Sequence, residues 1–227
     1  TYFLLTLIEA LLHTNAVLYI LDPKNADLAD LGTVMGNVYH TKDDMIDCVN
    51  AFYEGMVTRS EEMKLHPNYR TGENYAYLGL APQFLIFDEY VAFLEMLTTK
   101  ESTALLSQLK KIVMLGRQAG YFLIVACQRP DAKYFSDGIR DNFNFRVGLG
   151  RISELGYGML FGSDVKKQFF QKRIKGRGYC DVGTSVISEF YTPLVPKGHD
   201  FLQTIGSLAQ ARQDGTATCE AKGDGTD

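Results

Sequence analysis

Residues 83–89 read Gln-Phe-Leu-Ile-Phe-Asp-Glu, an apolar run followed directly by two acidic residues. The run predicts a short buried β-strand that ends at Asp88 and Glu89. Ligands of open α/β sheets bind at the carboxyl ends of the strands, so we expect both carboxylates at that edge. One acid there could hold Mg²⁺ through water, and its neighbour could polarise a water molecule for attack on a phosphate. An exposed acidic pair that caps the following helix would give the same pattern.

Three further apolar runs predict strands, and the amphipathic segments between the runs predict helices. The four predicted strands cover residues 16–21, 83–87, 121–127 and 145–149. Helical spacing of apolar residues predicts helices over 2–14, over 43–64 and around 105–113. Such an alternation is typical of an α/β fold, a mostly parallel sheet with helices on both faces. Residues 176–195 change in character and predict a hairpin at the sheet edge.

Polar side chains also follow the other predicted strands. Asp22, Pro23 and Lys24 end the first strand, and Gln128 follows the third. Gln128 could contact a γ-phosphate or the attacking water through its amide. Arg117 precedes the third strand, so we expect it on the opposite rim, from which it could reach a neighbouring subunit as an arginine finger. A solvated cation at a helix end is the alternative for Arg117.

Length and composition exclude several classes of protein. The chain has 227 residues, 46% of them hydrophobic, which excludes global disorder and allows one large α/β domain. Its apolar runs are broken well short of the roughly 20 residues that a membrane-spanning helix needs. The four cysteines lack CxxC spacing, which disfavours a zinc site or a disulfide scaffold. The net charge of −4 argues against a surface coated with basic residues, although a local basic patch remains compatible with it.

One such patch interrupts the acidic chain. Six cations fall within twelve residues, and these are Lys166, Lys167, Lys172, Arg173, Lys175 and Arg177. A local stripe of this kind can neutralise the phosphates of duplex DNA. A solvated helix face followed by a turn is the alternative interpretation.

Four blocks of sequence together resemble the motor domain of the FtsK/SpoIIIE family of DNA translocases. The blocks are LYILDPKNADLADLG, FLIFDEYVAFL, GRQAGYFLIVACQRPD and IRDNFNFRVGLG, in the family's order, and the resemblance covers roughly residues 1–165. It implies a RecA-like P-loop ATPase that assembles as a homohexamer, pumps double-stranded DNA and is related to the coupling proteins of conjugation. By position, Asp88 resembles the Walker B magnesium ligand, Glu89 the catalytic glutamate, Gln128 the sensor and Arg117 the arginine acting in trans.

The family's phosphate-binding loop, which ends in Gly-Lys-Ser/Thr, does not occur in this sequence. Thr1 stands directly before the first predicted helix, where the last residue of that loop would stand, and we expect Thr1 to be that residue and a magnesium ligand. The ATPase domain would then cover residues 1–212 and begin just past the lysine, and residues 213–227 would form a disordered polar tail. We expect the isolated fragment to bind ATP poorly and to be inactive. A degenerate motor is the rival explanation.

The resemblance therefore implies an ATP-driven DNA translocase that uses ATP and Mg²⁺, and we expect it to act during conjugative transfer of a plasmid or integrative element. The implied partners are double-stranded DNA, further copies of the chain, and a relaxase or other conjugation proteins. The implied location is the cytoplasm, at the inner face of the membrane through segments outside this sequence, with no membrane contact from the fragment itself. The alternatives are a type VII secretion ATPase that moves protein and a non-hydrolysing ring component or DNA-binding adaptor.

Overall fold

Two β-sheets with surrounding helices make up the described part of the chain. The computed structural model describes residues 1–128, 135, 137–140, 142–162, 165, 169, 174–184 and 186–215. The helices are α1 (Tyr2–Leu12), α2 (Lys42–Leu65), α3 (Tyr90–Glu95), α4 (Thr99–Ala119), α5 (Asp137–Arg140), α6 (Glu154–Phe161) and α7 (Phe201–Gln213). The strands are β1 (Val17–Leu21), β2 (Val38–Tyr39), β3 (Gln83–Phe87), β4 (Tyr121–Val125), β5 (Arg146–Leu149), β6 (Arg177–Asp181) and β7 (Ile187–Tyr191). Two 3₁₀ turns cover Ala29–Thr33 and Tyr75–Leu78.

The larger sheet is parallel and has the strand order β2-β1-β3-β4. Phe87 of β3 pairs with Leu21 of β1 on one side and with Val125 of β4 on the other. Strands β1, β3 and β4 therefore end at the same level, and the residues that follow them share one edge of the sheet.

Helices cover both faces of this sheet, as the sequence predicts for an α/β fold. Along β3, Leu85 and Phe87 join the core formed with α2, α3 and α4, whereas Ile86 joins the core formed with α1 and α7. Successive residues of a strand point to opposite faces, so a strand buried on both sides is apolar along most of its length. The continuous apolar runs of the sequence have this cause.

The smaller sheet corrects two sequence predictions. The strand predicted over 145–149 is observed as β5, but it pairs antiparallel with β6 and does not extend the parallel sheet. The predicted hairpin is observed as β6 and β7, which lie beside β5 and not at the edge of the parallel sheet. The fourth parallel strand is β2, whose two residues are too short to give a periodic pattern.

Helix α4 is held at both ends, which fixes the rim that carries Arg117. Thr98 and Glu101 form a capping box at its start. Gly120 ends it in the left-handed conformation, with φ of 78°, and a Cβ there would lie 2.5 Å from the Tyr75 ring. Only glycine adopts this positive φ without strain and also leaves room for the Tyr75 ring, so this helix must end where β4 begins.

The C-terminal helix α7 packs against α1 and ends at Gln213, a residue that the sequence predicts to belong to the polar tail. Residues 216–227, including Cys219, lie outside the described residues. None of the described helices combines the length and the apolar character that a membrane span requires.

Candidate functional site

The site is built at the carboxyl edge of the parallel sheet, where β3 ends between its two neighbours. The amide of Asp88 donates to the Leu21 carbonyl of β1 at 3.0 Å, and the amide of Tyr90 donates to the Ala126 carbonyl beyond β4 at 2.9 Å. The backbone that carries Asp88 and Glu89 is therefore fastened to the strands on either side.

Asp88 is a buried carboxylate, 6% exposed, that contacts the hydroxyl of Thr1. Thr1 Oγ1 donates to Asp88 Oδ2 at 3.0 Å, and no described residue donates a hydrogen bond to Oδ1. Burial raises the pKa of Asp88 above its ordinary value, a shift that the Thr1 hydrogen bond opposes and the nearby Asp22 and Glu89 reinforce. An ionised carboxylate in such surroundings favours a cation beside it.

The pair formed by Thr1 and Asp88 fits a magnesium ion that accompanies a nucleotide. Mg²⁺ takes oxygen ligands and keeps several of its waters, so one hydroxyl and one carboxylate suffice on the protein side. P-loop ATPases hold Mg²⁺ with this combination, a Ser or Thr and a Walker B Asp. Within the described residues, no cluster of three or more His, Cys, Asp or Glu side chains is arranged to bind a metal on its own.

Glu89 has a strained backbone next to Asp88. Its φ and ψ are 55° and 54°, a left-handed conformation that few residues with a side chain adopt. Such a residue costs about 1–3 kcal/mol and persists where the surrounding structure fixes it, often at functional sites. The Glu89 carboxylate forms an ion pair with Lys24, with 3.4 Å between Oε1 and Nζ. The sequence places Lys24 at the end of β1, but its pairing with Glu89 is seen only in the structure.

Asp22 lies at the same edge but has a structural role. It is 1% exposed, and its carboxylate accepts hydrogen bonds from the amides of Lys24, Ala26 and Ala29. These bonds organise the loop after β1 into the following 3₁₀ turn. Aspartate, proline and asparagine together are typical of such a turn, and this signal was available in the sequence.

Gln128 lies on the predicted edge, three residues after β4 ends, and its side chain is exposed. Its amide makes no hydrogen bond within the described part of the chain. The structure therefore places Gln128 at the same edge as Asp88 without joining the two. The neighbouring Arg129 and Pro130 lie outside the described residues.

Arg117 lies at the opposite edge, in the last turn of α4, and is exposed. The residues that follow Arg117 in the chain are held in place by hydrogen bonds. The Arg59 guanidinium donates to the carbonyls of Ala81 and Ala119, at 2.8 and 3.3 Å, and the Gln118 amide donates to the Glu73 carbonyl. Arg117 itself has no hydrogen-bond or ion-pair partner among the described side chains. The structure does not bring Arg117 to Asp88 within one chain, in agreement with the predicted rim.

The basic patch is described only in part. Lys166, Lys167, Lys172 and Arg173 lie outside the described residues, whereas Lys175 and Arg177 are exposed. The Arg177 guanidinium lies over the ring of Tyr191 on the paired strand, 4.9 Å from its centroid. These two cations flank the start of β6 in the smaller sheet.

A curated relative covers the whole chain. The chain is 53% identical over its full length to the FtsK domain-containing protein YdcQ of Bacillus subtilis (strain 168). It spans 47% of that relative, or about half of its length. No protein-family model matches the chain. The predicted resemblance to FtsK-type proteins is confirmed by this relative.

Solved structures of a conjugation coupling protein and of secretion-type ATPases share the fold. The pCW3 conjugation coupling protein TcpA, solved as a monomer with ATPγS, matches 90% of this chain with a TM-score of 0.71 and 17% identity, over 59% of its own length. The cytoplasmic domain of the type VII secretion ATPase EccC of Thermomonospora curvata matches 91% with a TM-score of 0.63 and 19% identity, over 26% of its length. ATPases 2 and 3 of EssC from Geobacillus thermodenitrificans match 94% with a TM-score of 0.65 and 14% identity, over 41% of their length. The chain therefore has the α/β fold of these proteins, while the roles of individual site residues remain predictions.

Proposed function

We propose that this chain, a homologue of an FtsK domain-containing protein, is the motor part of an ATPase that moves double-stranded DNA during conjugative transfer. The observation that carries the proposal is the contact of the Thr1 hydroxyl with the buried Asp88 carboxylate, beside Glu89 at the carboxyl edge of a parallel sheet. The 53% identity to YdcQ supports an FtsK-type protein. The fold that this chain shares with a conjugation coupling protein supports a role in conjugative transfer.

Each site residue has a chemical task in this proposal. Thr1 and Asp88 would hold the Mg²⁺ that accompanies ATP, and the ion would supply positive charge that neutralises the phosphates. Glu89 orients a water molecule and accepts its proton, as the water oxygen bonds to the γ-phosphorus and the bond to the bridging oxygen of ADP breaks. Gln128 contacts the γ-phosphate or the attacking water through its amide.

Arg117 acts across the boundary between subunits. From its rim it reaches the nucleotide of an adjacent copy and stabilises the negative charge of the transition state. Each site is then incomplete without a neighbour, which the proposed homohexamer supplies. Lys175 and Arg177, together with the rest of the basic patch, contact the DNA backbone, because a translocase must bind DNA of any sequence equally well.

The proposal extends to segments outside this chain. A Gly-Lys pair ahead of Thr1 in the full-length protein completes the phosphate-binding loop, and the isolated fragment binds ATP poorly and is inactive. Further segments hold the motor at the inner face of the membrane, where a relaxase or another conjugation protein delivers the DNA.

The test is DNA-stimulated ATP hydrolysis by the full-length protein with Glu89→Gln. The variant removes the base without changing the size of the side chain, so we expect turnover to fall by about 100-fold or more while nucleotide binding persists. Glu61→Gln, which alters an exposed glutamate of α2, is the matched control. Unchanged turnover in Glu89→Gln would remove the catalytic assignment, and a wild-type protein without ATPase activity would favour a non-hydrolysing ring component.

A type VII secretion ATPase is the second candidate, favoured by the fold that the chain shares with EccC and EssC. The same assay separates the two. Stimulation of ATP turnover by duplex DNA supports the DNA motor, and an ATP turnover rate that does not change when DNA is added supports a motor that moves protein.

A further inference from the structure

Lys24 and Glu89 form the one ion pair at the carboxyl edge of the parallel sheet among the described residues. The ammonium of Lys24 lies 3.4 Å from Glu89 Oε1, and the Lys24 and Glu89 side chains are 46% and 19% exposed. An exposed pair on two mobile side chains is worth little, because fixing both of them costs entropy. The importance of this pair therefore depends on how firmly each backbone is held.

The backbone of Lys24 is held by Asp22. The Lys24 amide donates to Asp22 Oδ1 at 3.1 Å, and the Asn25 amide donates to the Asp22 carbonyl at 3.1 Å, which closes a tight turn. Asn25 takes a left-handed φ of 48° in this turn. The buried Asp22 carboxylate also accepts hydrogen bonds from two amides further along the loop. The backbone that carries Lys24 is therefore held in place.

The backbone of Glu89 is held equally firmly. Its left-handed conformation is locked by the bonds that Asp88 and Tyr90 make to the strands on either side. Leu21 and Phe87 form the last rung between β1 and β3, and Lys24 and Glu89 follow that rung by three and two residues. The register of the sheet therefore brings the two side chains together.

We infer that Lys24 is a positioning residue for Glu89, an inference that rests on the proposed ATPase function. The ammonium holds Oε1 and limits rotation of the carboxylate, while Oε2 has no partner among the described residues and is left to accept the proton of the attacking water. Lys24 thus acts through Glu89 and does not bind the nucleotide. Loss of the ammonium lets the carboxylate rotate away, which slows hydrolysis without weakening ATP binding.

The experiment uses the full-length protein with Lys24→Met, Lys24→Arg and Lys24→Met combined with Glu89→Gln. We expect Lys24→Met to lower kcat about tenfold, with KM for ATP and the affinity for a fluorescent ATPγS within about twofold of wild type. Lys24→Arg keeps a cation and should recover most of the rate. Lys42→Met is the matched control, because Lys42 forms a comparable ion pair with Glu101, at 2.8 Å, away from the site. It should leave kcat unchanged.

The double variant tests whether Lys24 acts through Glu89. In single-turnover phosphate release, adding Lys24→Met to Glu89→Gln should cause no further loss. The inference is overturned if Lys24→Met leaves kcat unchanged or raises it, if ATPγS affinity falls in parallel with kcat, or if the tenfold loss persists in the Glu89→Gln background. A wild-type protein without ATPase activity, or an active Glu89→Gln variant, would instead overturn the proposed function.

Discussion

Thr1 and Asp88 are 87 positions apart in the sequence, and a hydrogen bond of 3.0 Å joins the hydroxyl of one to the carboxylate of the other. Thr1 precedes α1, and Asp88 follows β3, so the packing of α1 against the sheet sets their separation. Leu4 and Ile8 of α1 lie in the same core as Ile86, two residues before Asp88. The two oxygens of the candidate magnesium site are therefore brought together by the hydrophobic core itself.

Asp88→Asn should stabilise the fold at neutral pH. Because burial raises the pKa of Asp88, the folded chain binds its proton more tightly than the unfolded chain. At pH values above the pKa that Asp88 has in the folded chain, its charged carboxylate therefore lowers the free energy of unfolding of the wild type. This loss of stability disappears as the pH falls through that pKa toward the pKa that Asp88 has in the unfolded chain. Asn removes the charge, so we expect a melting temperature about 2–4 °C higher at pH 7, with a smaller gain at pH 4.

Circular dichroism melts at the two pH values check this prediction, with Asp47→Asn as the control because Asp47 is exposed on α2. A lower melting temperature for Asp88→Asn at pH 7 would mean that the hydrogen bond from Thr1 outweighs the cost of burial. The same variant should lose magnesium-dependent nucleotide binding in the full-length protein.

Glu89→Gly and Glu89→Gln should both lose hydrolysis but differ in stability. Glycine adopts the left-handed conformation of residue 89 without steric cost, whereas Gln keeps the strain of Glu. We expect Glu89→Gly to melt above Glu89→Gln by the equivalent of about 1 kcal/mol. Thermal melts of the two variants measure the difference. Equal melting temperatures would indicate that the strain relieved by glycine is no larger than the conformational entropy that glycine loses on folding.

The sequence predicts the parts of this site that depend on local pattern. The strand that carries Asp88 and the rim that carries Arg117 both follow from apolar runs and their order. The ion pair of Lys24 with Glu89 does not, because it depends on the register of two strands more than sixty residues apart. The left-handed conformation of Glu89 cannot be predicted from the sequence either, since the contacts that force it come from both neighbouring strands. Strand β2 is too short to carry a signal.

Arg117→Ala should inactivate the assembled ATPase without destabilising the chain, because Arg117 is exposed and makes no contact that the fold needs. A mixture with Glu89→Gln tests whether Arg117 acts in trans. In a ring of randomly mixed subunits, a boundary is intact where an Arg117→Ala subunit supplies Glu89 and a Glu89→Gln subunit supplies Arg117. An equal mixture should therefore recover about a quarter of the wild-type rate, although each variant alone is inactive.

Steady-state ATP turnover of the mixture measures this recovery. Lys110→Ala is the matched control on the same helix, since Lys110 is also exposed on α4, and it should keep the wild-type rate. A mixture no more active than its components would place Arg117 outside the neighbouring site.

Lys175→Ala combined with Arg177→Ala should weaken binding of duplex DNA and flatten its salt dependence. Each phosphate that a cation neutralises releases counterions, so the slope of log affinity against log salt falls by about 0.9 for each cation removed, or about 2 for the pair. Fluorescence anisotropy with duplexes of unrelated sequence measures the slope, which should change equally for each. Lys197→Ala alters an exposed lysine outside the patch and is the control. An unchanged slope in the double variant would mean that Lys175 and Arg177 do not touch the DNA, because a cation that neutralises no phosphate leaves no trace in the salt dependence.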